Sequence, residues 1–213
     1  MNTHATHANC TALLALAALG CLGGSPAGAV EGWGHVGLGL SALGLGATPA
    51  LAHSAGRGLT VDLAGGVQLA RKWQLGIDAG TLIQETTYCG NLCTPAEQQR
   101  NRSLDHYLLT VRYVPHPGAG GLFVYGAGGL AKYLDAHATG PGGAAQVLAQ
   151  QRQGSGAAVE FGVGYRVTGR GNERGGGLVV MFSQGFGRIR PDNRAYGNYA
   201  VASTTLSLGY ELW

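Results

Sequence analysis

The amino-acid sequence predicts an all-β fold, an eight-stranded antiparallel up-and-down transmembrane β-barrel with a plugged lumen. Three observations predict this fold. Apolar and polar residues alternate in eight segments, which is the period of a strand with two different faces. Charged residues make up only 12% of the 213 residues, whereas an ordinary soluble domain has about 25%, and apolar residues make up 45%. Short connections alternate with longer ones along the chain, as they do in outer-membrane barrels.

Residues 1–29 predict a cleaved signal peptide that precedes the barrel. Residues 11–22 form an apolar run that has the length of a signal-peptide core and is too short to cross a bilayer as a helix. Small residues follow, and the A-x-A pattern ending at Ala29 predicts cleavage there, which leaves 30–213 as the barrel domain. A lipoprotein signal with lipidated Cys21 and a buried Ala/Leu helix are the alternatives.

Cleavage of this segment leaves two cysteines, Cys89 and Cys93, close together in a connecting loop. Exported proteins meet oxidising conditions, so we expect a small loop disulfide between them. The C-x3-C spacing has no second cysteine pair and no paired histidines, and therefore does not predict a zinc site.

Eight segments alternate in hydrophobicity, and five of them do so clearly. The clear segments are residues 59–69, 73–80, 106–113, 157–167 and 205–212. The weaker ones are residues 34–46, 121–134 and 177–187. In segment 121–134 we assign Phe123, Tyr125 and Tyr133 to the lipid-facing side, which points Lys132 into the lumen.

The connections between these segments differ in length in a regular way. Short connections are expected at residues 71–72, 115–120 and 168–175. Longer ones are expected at residues 47–57, 86–103, 135–154 and 188–198, of which 144–153 could form a short helix or no regular structure. This is the plan of an outer-membrane barrel, with short turns at one end and long loops at the other.

The composition of the two strand faces decides which of them meets lipid. One face is almost entirely Leu, Val, Ile and aromatic residues, and the other is Gly, Ala, Ser, Thr and a few charges. The second face suits a narrow filled lumen, and a closed barrel satisfies all its backbone groups in lipid. A soluble lipocalin-like carrier is the alternative. Aromatic residues predict an interfacial girdle at the short-turn end, formed by Trp73, Tyr113, Phe123, Tyr125, Tyr165 and Trp213.

Seven charged residues have the parity of the lumen: Asp62, Asp78, Arg112, Lys132, Glu160, Arg166 and Glu211. A Lys or Arg that faces lipid at mid-bilayer costs about 2–4 kcal/mol, and buried charges are usually paired. We therefore expect Arg112, Arg166 and Glu211 to cluster near the short-turn end, and the other four to lie nearer the middle and the long-loop end. A lumen filled in this way is not a diffusion pore, although a proton or ion path along the charges is an alternative.

Three segments resemble the small outer-membrane β-barrel family of eight-stranded OmpA-, OmpX- and OmpW-like proteins. They are LFVYGAGGLA at 122–131, VEFGVGYRV at 159–167 and LSLGYELW at 206–213. The resemblance implies an outer-membrane location in a Gram-negative envelope, with outer-membrane lipid, lipopolysaccharide and the barrel-assembly machinery as partners. It also implies that Trp213 is the assembly signal, although Tyr210 and Leu212 are out of phase with it.

The sequence predicts a structural or surface-interaction role: envelope integrity, adhesion, or binding of ligands or lipids by the loops. We expect no catalytic residues, cofactor or metal, because His53-Ser54 lies in a loop and His106 has no serine at strand spacing. A lipid A-modifying enzyme is the alternative from another class. The net charge of +3 does not predict a nucleic-acid partner, and the sequence leaves the oligomeric state open.

One long connection carries three arginines that predict a site for lipid headgroups. They are Arg188, Arg190 and Arg194. Guanidinium groups bind phosphate in a two-pronged geometry, and lipopolysaccharide presents phosphates at the outer surface of such membranes. The alternative is a solvated loop that binds nothing.

Overall fold

The computed structural model describes residues 31–46, 53–88, 98–116, 120–138, 148–167, 176–193 and 197–212. These residues form a closed barrel in which each strand pairs antiparallel with its neighbours in the sequence and β1 pairs with β8. The strands are β1 Gly32–Gly46, β2 His53–Ala70, β3 Trp73–Tyr88, β4 Gln98–Tyr113, β5 Gly121–Ala138, β6 Leu148–Val167, β7 Gly177–Pro191 and β8 Tyr199–Leu212. The predicted all-β, eight-stranded up-and-down barrel is confirmed. Among the described residues, no helix is long and apolar enough to cross a membrane.

Several strands extend further toward the long-loop end than the alternation predicts. β4 begins at Gln98 and β6 at Leu148, so the expectation of a short helix or irregular structure over 144–153 is wrong from Leu148 onward. Their sequences contain few apolar residues, as in QQRNRS at 98–103 and QQRQ at 150–153, and the period of two therefore disappears. They remain strands because their backbone groups pair with a neighbour, as Gln150 does with His137 of β5.

The register gives the barrel a shear of ten residues. A row of paired residues that starts at Val36 of β1 crosses β2 to β8 and returns to β1 at Gly46. With this stagger, eight strands tilt by about 40° from the barrel axis. The row therefore climbs toward the long-loop end by about one residue for each strand crossed. This climb allows the heights of side chains on different strands to be compared along the barrel axis.

The outer face of the barrel is a continuous apolar band. Leu38, Leu59 and Leu130 are each about two-thirds exposed, and similar side chains cover all eight strands. The band runs from Trp73 near the short turns to Ile83 near the long loops, a height of roughly 25 Å for a rise of about 3.3 Å per residue on tilted strands. Apolar residues therefore face outward and small and charged residues inward.

Strand β5 has the opposite phase to the one predicted. Phe123, Tyr125 and Tyr133 are buried in the lumen, and the assignment of these rings to the lipid-facing side and of the first two to the girdle is wrong. Glycines on β6 make room for the two lower rings. A Cβ on Gly164 would lie 2.1 Å from Phe123 Cζ, and one on Gly162 would lie 2.7 Å from Tyr125 Cε1.

Three of the residues predicted for the girdle, Trp73, Tyr113 and Tyr165, do face outward near the short turns. The rings of Trp73 and Tyr113 lie 4.9 Å apart between their centroids. Tyr165 and Tyr210 are also exposed on the outer face at this end. Rings that sit at the edge of an apolar band are typical of a membrane interface.

Candidate functional site: lumen charges and the outer cationic border

The lumen near the short turns holds a compact ion-pair cluster. Arg112 Nη1 donates a hydrogen bond of 2.8 Å to Glu211 Oε2, and Arg166 Nη2 donates to Glu211 Oε1. All three side chains are at least 97% buried. Arg166 Nη2 also approaches Gln74 Oε1 at 3.4 Å. This short-turn cluster therefore combines one carboxylate with two guanidinium groups away from solvent.

Aromatic rings cover the surplus positive charge of the short-turn cluster. The Arg112 Cζ atom lies 3.8 Å from the ring centroid of Trp33 and 5.0 Å from that of Phe123, and Arg166 Cζ lies 5.4 Å from Phe123. The negative face of an aromatic ring attracts a cation, most strongly where water is excluded. The sequence did not identify Trp33, Gln74 or Phe123 as members of this cluster. The inward parity of Gln74, which pairs with Arg112 in the register, is the signal that would have found one of them.

A second cluster, the middle cluster, lies further along the lumen and is acidic. Asp62, Asp78 and Glu160 all point inward from their strands. His106 Nε2 lies 3.2 Å from Asp78 Oδ1, and the Tyr125 hydroxyl donates a 2.7 Å hydrogen bond to Glu160 Oε1. Neither partner was predicted from the sequence, although the inward parity of His106 is visible in its strand.

Glycine lets the middle cluster close across the lumen. A Cβ on Gly80 would lie 2.7 Å from Asp62 Oδ1 and 2.5 Å from His106 Cε1. Either contact is shorter than real Cβ atoms show, so a side chain at this position would push Asp62 or His106 out of its place. The side chains of β2 and β4 can then approach each other over the backbone of β3.

Lys132 is not part of the middle cluster, and the prediction that it joins the lumen charges is wrong. It alternates with buried Ala131 and Tyr133, so it lies on the outer face, between Asp105 of β4 and Ser155 of β6 in the register. The cause is the reversed phase of β5. Among the described lumen residues at this height, three carboxylates therefore have one imidazole and neither Lys nor Arg beside them.

The rest of the described lumen holds hydroxyl and apolar side chains together with a further ion pair, in which Arg102 Nε lies 3.7 Å from Asp135 Oδ2 at the long-loop end. His35 and Gln84 are also buried in the lumen. Ser41 Oγ bonds Thr205 Oγ1 at 2.7 Å and also bonds Thr60 Oγ1. Toward the long loops, a buried apolar cluster comprises Leu43, Leu82, Leu104, Ala131, Tyr133, Ile189 and Val201. A cavity of about 20 Å³ lies beside His106 and Glu160, which is room for about one water molecule.

Cations border the apolar band at the long-loop end. Arg57, Arg188 and Arg190 are exposed, and Lys132 lies on the same outer face. The climb of the register brings Arg57, Lys132 and Arg188 to about the same height although they belong to β2, β5 and β7. We call these four residues the outer cationic border.

Several predictions concern residues outside the described part of the chain. They are the signal peptide over 1–29 with Cys21, the disulfide between Cys89 and Cys93, the loop residue Arg194 and the assembly signal Trp213. Within the described ranges, no group of three His, Cys, Asp or Glu residues is arranged to hold a metal ion.

Solved structures share this architecture. The attachment invasion locus protein Ail of Yersinia pestis, in complex with the heparin analogue sucrose octasulfate, matches with a TM-score of 0.54 and 10% identity, over 85% of this chain and 99% of Ail. A second structure of Ail matches with a TM-score of 0.52 and 12% identity over the same shares of the two chains. The chain has the fold of the small eight-stranded outer-membrane β-barrels. Neisserial surface protein A gives a TM-score of 0.45 and 12% identity, over 85% of this chain and 99% of that one. No protein-family model matches the sequence, and no curated protein matches it.

Proposed function

We propose that this protein is an integral outer-membrane barrel with a filled lumen and a structural or surface-interaction role. The observation that carries the proposal is the apolar band around a closed barrel, bordered by outward aromatic rings at one end and by cations at the other. In lipid, a closed barrel leaves no strand edge and no unpaired ladder group. The band has the height expected of a hydrocarbon core.

The outward direction of the apolar residues argues against a soluble carrier. Such a carrier keeps its outer surface polar and places apolar residues around an internal ligand. Here Leu38, Leu59 and Leu130 are exposed on different strands of one band. A contiguous band of this size is far larger than the few hundred Å² that soluble monomers expose.

The lumen contents support a plugged barrel and not an open pore. Arg112, Arg166 and Glu211 are closed off from solvent near the short turns, and the buried apolar cluster and the Arg102–Asp135 ion pair occupy the lumen toward the long loops. Eight strands enclose only enough space for side chains. The same filling argues against catalysis in the lumen, so we propose a non-enzymatic role and keep a lipid A-modifying enzyme as the alternative.

The outer cationic border supports binding of anionic headgroups. Arg188, Arg190 and Lys132 point outward just above the band, where lipid phosphates would lie. Arg194 follows in the same connection and is included on sequence grounds. Ail, which shares the fold, has been crystallised with a highly sulfated sugar, and this favours polyanionic groups as ligands. Lipopolysaccharide phosphates are therefore the proposed partner of this surface.

Two measurements on the purified full chain test these proposals. Detergent-extracted protein should change its gel migration on boiling, as closed membrane barrels do, and the absence of a shift would remove the membrane proposal. The triple variant K132Q/R188Q/R190Q should bind lipopolysaccharide roughly ten-fold more weakly, with a reduced salt dependence. The matched control is R71Q/K72Q at the opposite end of the barrel, which should bind as the wild type does. Equal binding by both variants would contradict the headgroup site.

A further inference from the structure

The outer face of β5 to β8 carries a patch that differs from the rest of the apolar band. Two neighbouring outward rows of the register form it: Gly126, Phe161, Gln184 and Thr204 in one row, and Gly128, Val159, Phe186 and Ala202 in the other. It contains a notch at the two glycines, a ridge of aromatic rings and a polar pair. We call it the β5–β8 patch.

The polar pair lies inside the apolar band. Gln184 has Phe182 and Phe186 on either side of it along the outer face of β7, and Thr204 has Leu206 below it on β8. Thr204 Oγ1 donates a 2.9 Å hydrogen bond to Gln184 Oε1. Within the described part of the chain, the Gln184 amide nitrogen donates to no acceptor. A donor without an acceptor is costly in hydrocarbon, and lipid tails cannot supply one.

The notch and the ridge lie side by side. A Cβ on Gly126 would meet nothing within 4 Å, and one on Gly128 would make only ordinary contacts at 4.0 Å. The rings of Phe161 and Phe186 stand beside this open strip with their centroids 5.7 Å apart. Neither glycine is required by packing within the barrel, so the notch is free for a partner.

We propose that a second copy of this chain occupies the β5–β8 patch in the membrane. Copies inserted in the same direction are related by a two-fold axis parallel to the barrel axis. An axis through β6 brings β7 of each copy opposite β5 of the other, with the two Phe161 rings at the centre. Gln184 is in register with Gly126 but lies two strands further along the row. Because the row climbs, Gln184 is about two residues nearer the long-loop end than Gly126, which is the height of Gly128 along the barrel axis.

In this arrangement the Gln184 side chain of each copy enters the glycine notch of the other. The nearest acceptor to this notch is the Ala158 carbonyl oxygen, which lies 4.0 Å from the position that a Cβ on Gly128 would take. Small residues and amide side chains are the features that associate segments within membranes, where apolar burial gives no driving force. Lipid alone would fill the notch but would leave the amide donor unpaired.

Energy transfer between labelled copies of the full chain in phosphatidylcholine vesicles tests the inference. The efficiency of energy transfer in the wild type should fall as added lipid dilutes the protein. The dilution curve should fit a dimer equilibrium and not the curve expected for random proximity. Q184L and G128L should each weaken association roughly three- to ten-fold. Association of the double variant should be no weaker than that of either single variant, because the two substitutions remove the same contact. A79L, which adds a side chain to the outer face of β3, is the matched control and should associate as the wild type does.

The proposal rests on the proposed membrane barrel, and the two can fail separately. A chain that shows no heat-dependent gel shift contradicts the membrane barrel itself. A chain that shifts but gives only random transfer at every dilution is a monomeric barrel, and this overturns the dimer alone. Association that is unchanged in Q184L and G128L would place the contact on another face and would overturn the β5–β8 patch as the interface.

Discussion

The short-turn cluster and the middle cluster lie in one lumen, but their buried charged groups are stabilised in different ways. In the first, Glu211 bonds both Arg112 and Arg166, and rings cover the remaining positive charge. In the second, Asp78 has His106 and Glu160 has Tyr125 as a neutral donor. The first cluster depends on ion pairs between opposite charges, and the second on hydrogen bonds to carboxylates that are close to one another.

This difference predicts opposite responses to the loss of a carboxylate. Removing one partner of a buried ion pair leaves an uncompensated charge, which is far more costly than the pair is worth. Removing one of several like charges relieves repulsion. The two clusters should therefore respond with different signs and sizes. Glu211→Gln and Asp62→Asn test this directly, and Gly164→Val and Tyr125→Phe test the groups that support each cluster.

Replacing Glu211 by glutamine should have the largest effect. Arg112 and Arg166 would remain buried without a carboxylate, and we expect a loss of about 3–5 kcal/mol in the free energy of unfolding. Urea unfolding in lipid vesicles, followed by tryptophan fluorescence, measures it. Asp105→Asn, at an outward carboxylate that accepts a 2.7 Å hydrogen bond from Thr81, is the control and should cost about 1 kcal/mol or less. A Glu211→Gln protein as stable as this control would contradict the pairing.

Replacing Gly164 by valine should have the next largest effect, because it disturbs the ring beneath the short-turn cluster. Phe123 is fully buried and cannot withdraw from a Cβ that would approach its Cζ to 2.1 Å. We expect a loss of about 1–3 kcal/mol, as for other overpacked cores, in the same urea titration. Gly126→Val adds the same atoms to the outer face, where nothing lies within 4 Å. Equal losses in the two variants would show that strand propensity, and not the ring, decides the effect.

The eight strands and the direction of most side chains could be predicted from the sequence. Where one face is Leu or Val and the other small or charged, as in β2, β3 and β6, the alternation identifies the lipid side unambiguously. The phase of β5 could not be predicted, because Gly126 and Gly128 occupy its outer face while Phe123 and Tyr125 face the lumen. Side-chain size alone then predicts the wrong phase.

The partners within the lumen could be predicted only in part. Parity shows that Arg112 and Glu211 both point inward, but their distance depends on the shear of ten residues, and no single strand contains that information. Lys132 was assigned to the lumen because the phase of β5 was predicted wrongly. His106 was overlooked because an inward histidine in a strand has no motif that distinguishes it from a packing residue.

Removing the Tyr125 hydroxyl should have a smaller effect, confined to the middle cluster. Tyr125→Phe leaves Glu160 buried without its 2.7 Å donor while keeping the ring in place. We expect a loss of about 1–2 kcal/mol in the urea titration. Tyr165→Phe removes a hydroxyl from the exposed outer face and should change stability by less than about 0.5 kcal/mol. If the two variants were equally stable, the bond to Glu160 would contribute nothing to the fold.

Replacing Asp62 by asparagine should have the smallest effect and the opposite sign. The amide keeps the shape of the side chain beside Gly80, but it removes one of the three carboxylates of the middle cluster, whose basic member among the described residues is His106. We expect the free energy of unfolding to stay constant or to rise by about 1 kcal/mol, because repulsion with Asp78 and Glu160 falls. Added salt should shrink the difference from the wild type in so far as water reaches the lumen. A loss comparable to that of Glu211→Gln would mean that Asp62 has a cationic partner in the folded protein, and the contrast between the two clusters would be wrong.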